Sequence, residues 1–540
     1  MDKNTLIMQH KFKEFGDTDF NSRIVLDYLQ QNPKLSDFCD GWPQLESFSR
    51  RIAARDFTPE KRRILAAELE KQYDAVPMSK AVSDHISALR NEGVYTLTTG
   101  QQLGLMGGPQ YTCFKIIHTL SLAAFLQQKF PFSRFVPVFW LQSEDHDIEE
   151  INQYYLFGKK YRSEVSSRGI SGELSATAWQ KIWEEINAKL KNEPHWPDLS
   201  RSYLEAIACK DWSEAWRRLL NAIFGKYGLV ILDPRRAALK ALFSHIICRE
   251  FENNSVYNCV SDTNKKLLHL GYEPQAYVRP INFFGLYNGQ RYRLEENGDH
   301  YRQIGTDISY SRTEILQKAK EEPAFFSPNV LMRPLYQESI LPNLAYIGGA
   351  AEIAYWLQLK GAFDHYSLPF PAIIPRFSAL FITRSQYKKM EKLGLHTDDL
   401  FHSAAEWEKQ YLQRKTGEEF SLDREKKEVA DILDKIKQKS AHITTGLQSS
   451  IEMEKVRLLQ GIAALEAKLI KEEKRKHETT LLQLSHLKEN LFPSAHWPER
   501  RDSLTDLWIA YGPLWIDELL KVNNPLHPGL HLMIEESLEK

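Results

Sequence analysis

Cysteine is scarce: five in 540 residues, at Cys39, Cys113, Cys209, Cys248 and Cys259. None forms a C-x-x-C pair and none has zinc-finger spacing, so neither a disulfide framework nor a structural zinc site is indicated. A large chain with few, scattered thiols fits a reducing compartment. An excess of either charge is also missing: Lys plus Arg is 70 and Asp plus Glu is 71. No global field therefore draws the chain to nucleic acid or to an anionic membrane, and neither is expected as a partner. The N-terminus, MDKNTLIMQHKFKEFGDTDF, lacks the apolar core and small-residue cleavage site of a secretory signal. The expectation is a soluble cytoplasmic protein, long enough for two to four domains with a sizeable core.

A 22-residue stretch without charge, Gly93 to Phe114 (GVYTLTTGQQLGLMGGPQYTCF), organises the rest. Its five glycines and several Gln and Thr make it too polar for a membrane span. Val94 to Thr99 is β-branched and aromatic and predicts a short buried strand. Gly100, Gly104, Gly107 and Gly108 follow, then Pro109, and from Tyr111 the apolar spacing (Phe114, Ile117, Leu120, Ala124) turns helical. Strand, glycine-rich loop and helix entry make a cradle for phosphate or carboxylate, because glycine admits a close ligand and a helix start offers unpaired N–H groups. Pro109 suits the first helical turn. Lys115 adds a full charge, and Gln101, Gln102, Tyr111 and Thr112 flank the loop. The spacing is neither GxGxxG nor GxxxxGK[ST]. The competing reading is a tight turn that packs a helix against a sheet.

Phe135 to Leu141 (FVPVFWL) is almost wholly apolar, as in strands covered on both faces of a parallel sheet. It ends in Gln142-Ser143-Glu144-Asp145-His146-Asp147, with Glu149, Glu150 and Asn152 beyond. Ligands of open α/β sheets bind at the carboxyl ends of strands. Acids packed this closely ask for a cation, a metal or a shared proton. His146 between two aspartates reads as a general base or an ammonium-positioning group, against the alternative of a solvated acidic loop.

Elsewhere Pro59–Tyr73 predicts a helix opened by Thr58-Pro59 in an otherwise helical, charged first 90 residues. Residues 153–227 read as a helical insert (Ala178–Leu190, Trp212–Phe224), and Gly228 to Asp233 as a further buried strand. Tyr277 to Ile308 reads as a small antiparallel unit with turns at Asn288-Gly289 and Asn297-Gly298, within a second insert at about 255–325. Leu344 to Ile347, Gly348-Gly349 and Ala350 to Lys360 repeat the strand, glycine, helix order. Arg333, Gln337 and Glu338 precede that strand; Glu352, Tyr355 and Trp356 follow it, Glu352 standing where a carboxylate also serves the helix dipole. Pro371 to Phe377 predicts the last sheet strand, with Arg376 at its end. After about residue 380, Val429, Ile432, Ile436, Ile443 and Leu447, then Leu458, Ile462, Leu465 and Leu469, then Leu484, Leu487 and Leu491, predict two long helices folded back on each other. The break is expected at His442–Gly446, and Leu504 to Leu520 as a helical tail interrupted at Tyr511-Gly512-Pro513.

Four blocks carry a resemblance: TTGQQLGLMGGPQYTCFK (98–115), PVFWLQSEDHDIEEIN (137–152), FSPNVLMRPLYQESILPNLAYIGGAAEIAYWLQLK (326–360) and the late LFP…YGPLWIDEL segment (491–519). Together they resemble the bacillithiol-biosynthesis cysteine-adding enzymes, the BshC family, along the whole chain. Gly107 before Gly108-Pro109 and Ala350-Ala351 after the double glycine depart from the family pattern by small-for-small changes. The resemblance implies an α/β fold with a Rossmann-like parallel-sheet core over 1–380, carrying two connecting-peptide inserts and similar to class I aminoacyl-tRNA synthetases. It also implies an antiparallel coiled-coil domain over 381–540, which dimerises and whose C-terminal segment returns to the core. Val76-Pro77-Met78-Ser79-Lys80 superficially resembles the synthetase lysine loop, but it stands before the glycine loop instead of late in the chain.

The implied activity is joining cysteine to the amine of glucosaminyl-malate, the last step of bacillithiol synthesis. Amide formation implies carboxylate activation, with ATP as the expected cofactor, Mg2+ as its companion, and no HIGH signature in the chain. Under that reading Gly100 to Lys115 would hold phosphate or malyl carboxylates, and Glu144, Asp145, His146 and Asp147 would bind an ammonium and deprotonate the amine. Glu352, Tyr355 and Trp356 would close the opposite wall. The reading from a different class is a nucleotide-sensing scaffold that works through its coiled coil, which would have no need of the acidic cluster.

Overall fold

The computed structural model describes residues 8–18, 22–165, 169–416, 421–440 and 445–536. The chain separates into two compact units, one running to Phe381 and resuming at Trp497, the other spanning Ile382–His496.

The first unit is built on five parallel strands: β1 (Val94–Gln101), β2 (Arg134–Leu141), β3 (Val230–Leu232), β4 (Asn343–Gly348) and β5 (Ala372–Pro375). They lie in the order β5-β4-β1-β2-β3 and every pairing is parallel. Thr98 at the centre pairs with Tyr346 on one side and Val138 on the other. Burial on both faces explains why FVPVFWL has no polar alternation. This is the Rossmann-like order, and it reverses between β1 and β4, which opens a crevice at their carboxyl ends. Helix α1 (Tyr111–Lys129) follows β1 and is buried continuously from Thr112 to Ala123. The C-terminal segment covers it: His118 meets the Pro525 carbonyl through Nε2 at 2.9 Å and accepts the Phe377 N–H at Nδ1. Burial pushes that imidazole down to about 4, so it is neutral.

The first insert is a hairpin (Tyr154–Leu156, Lys159–Tyr161) and three helices, Gln180–Leu190, Trp196–Ile207 and Trp212–Phe224. The second carries an antiparallel four-stranded meander, joined at the edge of its first strand by Phe326–Pro328, in which Phe283–Tyr287 and Gln290–Asn297 are connected at Asn288 (φ 50°) and Gly289 (φ 70°). Two consecutive left-handed residues make the hairpin turn that Asn-Gly predicts. The N-terminal stretch corrects the all-helical reading. Met8–Lys13 is a strand that pairs antiparallel with Leu530–Glu535, in a sheet completed by Ser378–Ile382. Its partner comes from the far end of the chain, so local propensity could not reveal it. Among the described residues no helix is long and apolar enough to cross a membrane.

In the second unit α2 (Asp423–Ser440) and α3 (Thr445–Lys476) run antiparallel, cross-linked by Lys426–Glu466 (2.6 Å), Lys437–Glu452 (2.6 Å) and Lys455–Asp434 (2.7 Å). The predicted break at His442–Gly446 falls mainly on residues 441–444, outside the described residues. The second helix is not continuous to Leu491. It stops before His477, and a separate helix, Glu478–Leu491, buries Leu481, Leu484, Leu487 and Leu491. In that helix Lys488 lies over the ring of Trp407, from Ala404–Thr416, at 4.6 Å.

Candidate active site

A cleft of about 790 Å³ opens where the strand order reverses. Gln101 and Gln102 leave the end of β1, Leu141 to Asp145 the end of β2, and Gly349 to Glu352 follow β4. Arg333 comes from the helix before β4, Arg376 from the end of β5, and Arg500 from the late Pro498–Arg501 turn.

The lining carries a cationic group. Arg333 donates from Nη2 to the Tyr355 hydroxyl (2.9 Å) and from Nη1 to Gln337 Oε1 (3.0 Å), and its guanidinium lies 5.0 Å from the Tyr346 ring centroid. Burial opposes its charge, but Tyr346, Tyr355 and Glu352 outweigh burial and hold the pKa above its usual value. Arg376 is clamped by both carboxylate oxygens of Glu499 (2.5 and 3.0 Å) and lies over Tyr111. Glu499 is wholly buried, so the late segment serves to aim this arginine into the cleft. Lys115 is buried too. Its Nζ meets Glu352, the Gly100 carbonyl (3.0 Å) and Gln101 Oε1 (2.9 Å). Glu352 also accepts the Gly349 N–H at 2.8 Å and the Tyr346 hydroxyl. Burial would raise this carboxyl, but Lys115 and those donors hold it below the usual carboxylate range.

The acidic group of the lining is less crowded than its sequence suggests. Glu144 turns inward onto Lys240 (2.7 Å) and the Ser327 hydroxyl (2.8 Å). Asp145 accepts the backbone N–H groups of His146 (2.7 Å) and Asp147 (3.2 Å) on one oxygen, and Gln102 Nε2 (2.6 Å) on the other. Gln102 also reaches Glu150, at 2.9 Å, so one amide holds two carboxylates at the cleft. Asp147 caps Glu150 N and lies outside the cleft lining. His146 lines an adjoining cavity; Arg291 donates to its Nδ1 at 3.2 Å, which leaves the ring proton on Nε2. Burial first, and then Arg291, lower its pKa. Among the described residues no three His, Cys, Asp or Glu side chains are grouped to hold a metal ion.

The structure therefore brings together Gln101, Gln102, Tyr111, Lys115, Glu144, Asp145, Arg333, Gly349, Glu352, Tyr355 and Arg376 around one cleft. It does not place Gly100, Gly104, Gly107, Gly108, Pro109, Thr112, Gln337, Gly348 or Trp356 in its lining. Gln337 is buried behind Arg333, and Trp356 stacks on Tyr346 from the core side. The glycine loop is a correction of the cradle reading. It packs inward beneath the first insert: Trp216 Nε1 donates to the Gly104 carbonyl (3.0 Å) and Tyr203 to the carbonyl of Met106 (3.2 Å). A Cβ on Gly107 (φ 94°) would lie 3.2 Å from Leu219 and 3.3 Å from Leu504. Gly107→Val is accordingly expected to lower stability, by about 1–3 kcal/mol for the backbone alone. Thermal unfolding measures that loss, while ligand affinity per folded molecule should hold.

Sequence reasoning missed Arg291, Arg500, Lys240 and Glu499. Arg500 and Glu499 lie inside the late block that carried part of the resemblance, so that block was the available signal. Arg291 sits in a meander strand and Lys240 in a short helix, with nothing local to mark either.

The parallel sheet with its reversal-point cleft, the two inserts and the helical hairpin define a Rossmann-like small-molecule enzyme scaffold with an attached coiled coil. The chain belongs to the bacillithiol biosynthesis BshC family. It matches the family's N-terminal Rossmann-like domain over residues 8–377 and its C-terminal coiled-coil domain over 379–536. A relative from Cytophaga hutchinsonii, named "Putative cysteine ligase BshC", is 35% identical over 483 residues, covering 89% of this chain and 91% of the relative. Relatives of the same name from Flavobacterium psychrophilum (35% identical, 94% and 95% covered) and Geobacillus kaustophilus (28% identical, 95% and 98% covered) extend the likeness.

Proposed function

We propose that this cleft joins the carboxyl group of cysteine to the amine of glucosaminyl-malate, releasing bacillithiol. The observation that carries this reading is that one cleft gathers both kinds of group. Arg333, Arg376 and Arg500 suit carboxylates and phosphate, and Asp145 with Glu150 suits an ammonium. The named activity of the relatives and the family match point the same way.

Amide formation from a free carboxylate is uphill in water, so the reading includes ATP, which when bound would supply a phosphoryl or adenylyl group to the cysteine carboxylate, so that phosphate or AMP is the group that leaves when the amine attacks. The arginines fit its phosphates. Mg2+ would enter on those phosphates, since no three-ligand protein group is present among the described residues. Within the chain, Arg333 is held rigid by Tyr355 and Gln337, and Arg376 by Glu499, so both present preorganised donors. Asp145 is oriented by two backbone N–H groups and Gln102, and takes the proton that the amine must lose before it attacks. Incubating the protein with glucosaminyl-malate, cysteine and ATP should yield bacillithiol together with AMP or ADP, read by mass spectrometry. No thiol product under saturating substrates would overturn the proposal.

Dimerisation through the coiled coil belongs to the same reading. The hairpin leaves Ile432, Leu465 and Leu469 about half exposed. Ile462→Asp with Leu469→Asp is expected to convert dimers to monomers by light scattering. An unchanged mass would confine the stripe to the hairpin.

A further inference from the structure

A second cavity of about 370 Å³ adjoins the cleft and shares Phe284, Arg291 and Asn329 with it as a common wall. Its lining also holds Arg279, Arg293 and His146, and contains no Asp or Glu. Three guanidinium groups around so small a space are conspicuous in a chain whose formal charge is only −1. Arg293 has a carboxylate neighbour, Glu295, at 2.7 Å. The hydrogen bonds of Arg291 go to neutral acceptors, Nε to Ser327 Oγ (3.0 Å), Nη1 to His146 Nδ1 (3.2 Å) and Nη2 to the Pro328 carbonyl (2.7 Å), with the guanidinium 3.9 Å over Phe284, while the carboxylates of Asp145 and Glu144 in the cleft lining are its charged neighbours. Three of its five N–H groups are thereby used and two remain, on a cation placed between the two spaces. Arg279 lies over Tyr277 at the rim. Asn282 accepts the Arg279 N–H (3.3 Å) and the Asn329 side-chain amide (2.9 Å), which ties the rim of the cavity to the wall of the cleft.

We infer that this cavity is a subsite for linked phosphates, the terminal phosphates of a nucleoside triphosphate that reaches in from the main cleft past Arg291, or free pyrophosphate. Guanidinium forks match phosphate oxygens two at a time, and a lining free of carboxylates does not repel them. The choice of ligand rests on the ligase reading; the anion site itself does not.

Titration calorimetry on the full chain tests this with inorganic pyrophosphate and ATP as probes. Wild type should bind pyrophosphate, more weakly as salt rises. Arg279→Ala with Arg293→Ala should weaken it by about 10-fold or more, the scale of a lost charged contact. Prior saturation with pyrophosphate should weaken ATP binding while leaving cysteine binding unchanged, which separates nucleotide from free pyrophosphate as the source. If the double variant fails to fold, the rim substitution Arg279→Gln alone replaces it. Unchanged pyrophosphate affinity in the folded variant, or no binding to wild type at millimolar concentration, overturns the subsite even if bacillithiol is made. Binding and its loss as expected, without any bacillithiol from wild type, would keep the subsite and remove the ligase reading.

Discussion

Lys115→Met is expected to destabilise the first unit by about 3–5 kcal/mol, the usual cost of removing one partner of a buried ion pair. The Lys115 side chain is 2% exposed and that of Glu352 18%, so the carboxylate would be left with little water and only the Gly349 and Tyr346 donors. The Gly100 carbonyl and Gln101 would lose their donor as well. The sign of the pH dependence follows from the direction of the Glu352 shift. A carboxyl held below its unfolded value contributes stability above about pH 4.3 and loses it as pH falls through the lower folded value. Protonated Glu352 needs no ammonium, so the gap between wild type and variant should shrink on acidification. Urea unfolding at pH 7 and near pH 4 measures it, and Glu352→Gln in the same chain should restore part of the loss. Wild-type stability in Lys115→Met, with weakened anion binding, would mean that the lysine serves a ligand instead of its neighbour.

Asp145→Asn should lower turnover by about 100-fold or more, the lower range for loss of a general base. The substitution keeps an oxygen for the backbone N–H groups of His146 and Asp147, and the Gln102 amide keeps its bond to Glu150. Thermal stability should therefore barely move, and the effect should fall on kcat more than on KM for cysteine. Glu144→Gln is the instructive contrast. Glu144 sits on buried Lys240, so its loss should appear chiefly as reduced stability. Near-normal turnover in Asp145→Asn would assign the acidic turn to structure.

The sequence by itself determined the parallel core. Val94–Gln101, Arg134–Leu141 and Asn343–Gly348 are largely apolar or β-branched runs, the first opening after Gly93 and the last closing at Gly349, as in strands covered on both faces. It also determined the helical hairpin through its repeat, the meander turn at Asn288-Gly289, and the family through four long blocks. Glu352 could be read locally because its capping role needs only Gly349, three residues away.

The tertiary structure decided what each polar side chain faces. A strand–glycine–helix pattern looks the same whether the loop lines a ligand site or lies under a neighbour, and here Trp216 and Tyr203, about a hundred residues on, take its carbonyls. Four consecutive residues, Glu144 to Asp147, were parted because successive side chains leaving a strand end point in different directions. Glu144 entered the core toward Lys240, Asp145 stayed in the cleft, and His146 faced the second cavity. Arg376 meets Glu499 across 123 positions and His146 meets Arg291 across 145. Separations of that length carry no local signal, so charge pairing, and with it the identity of the groups left to hold a ligand, was settled only when the inserts and the returning C-terminal segment packed onto the sheet.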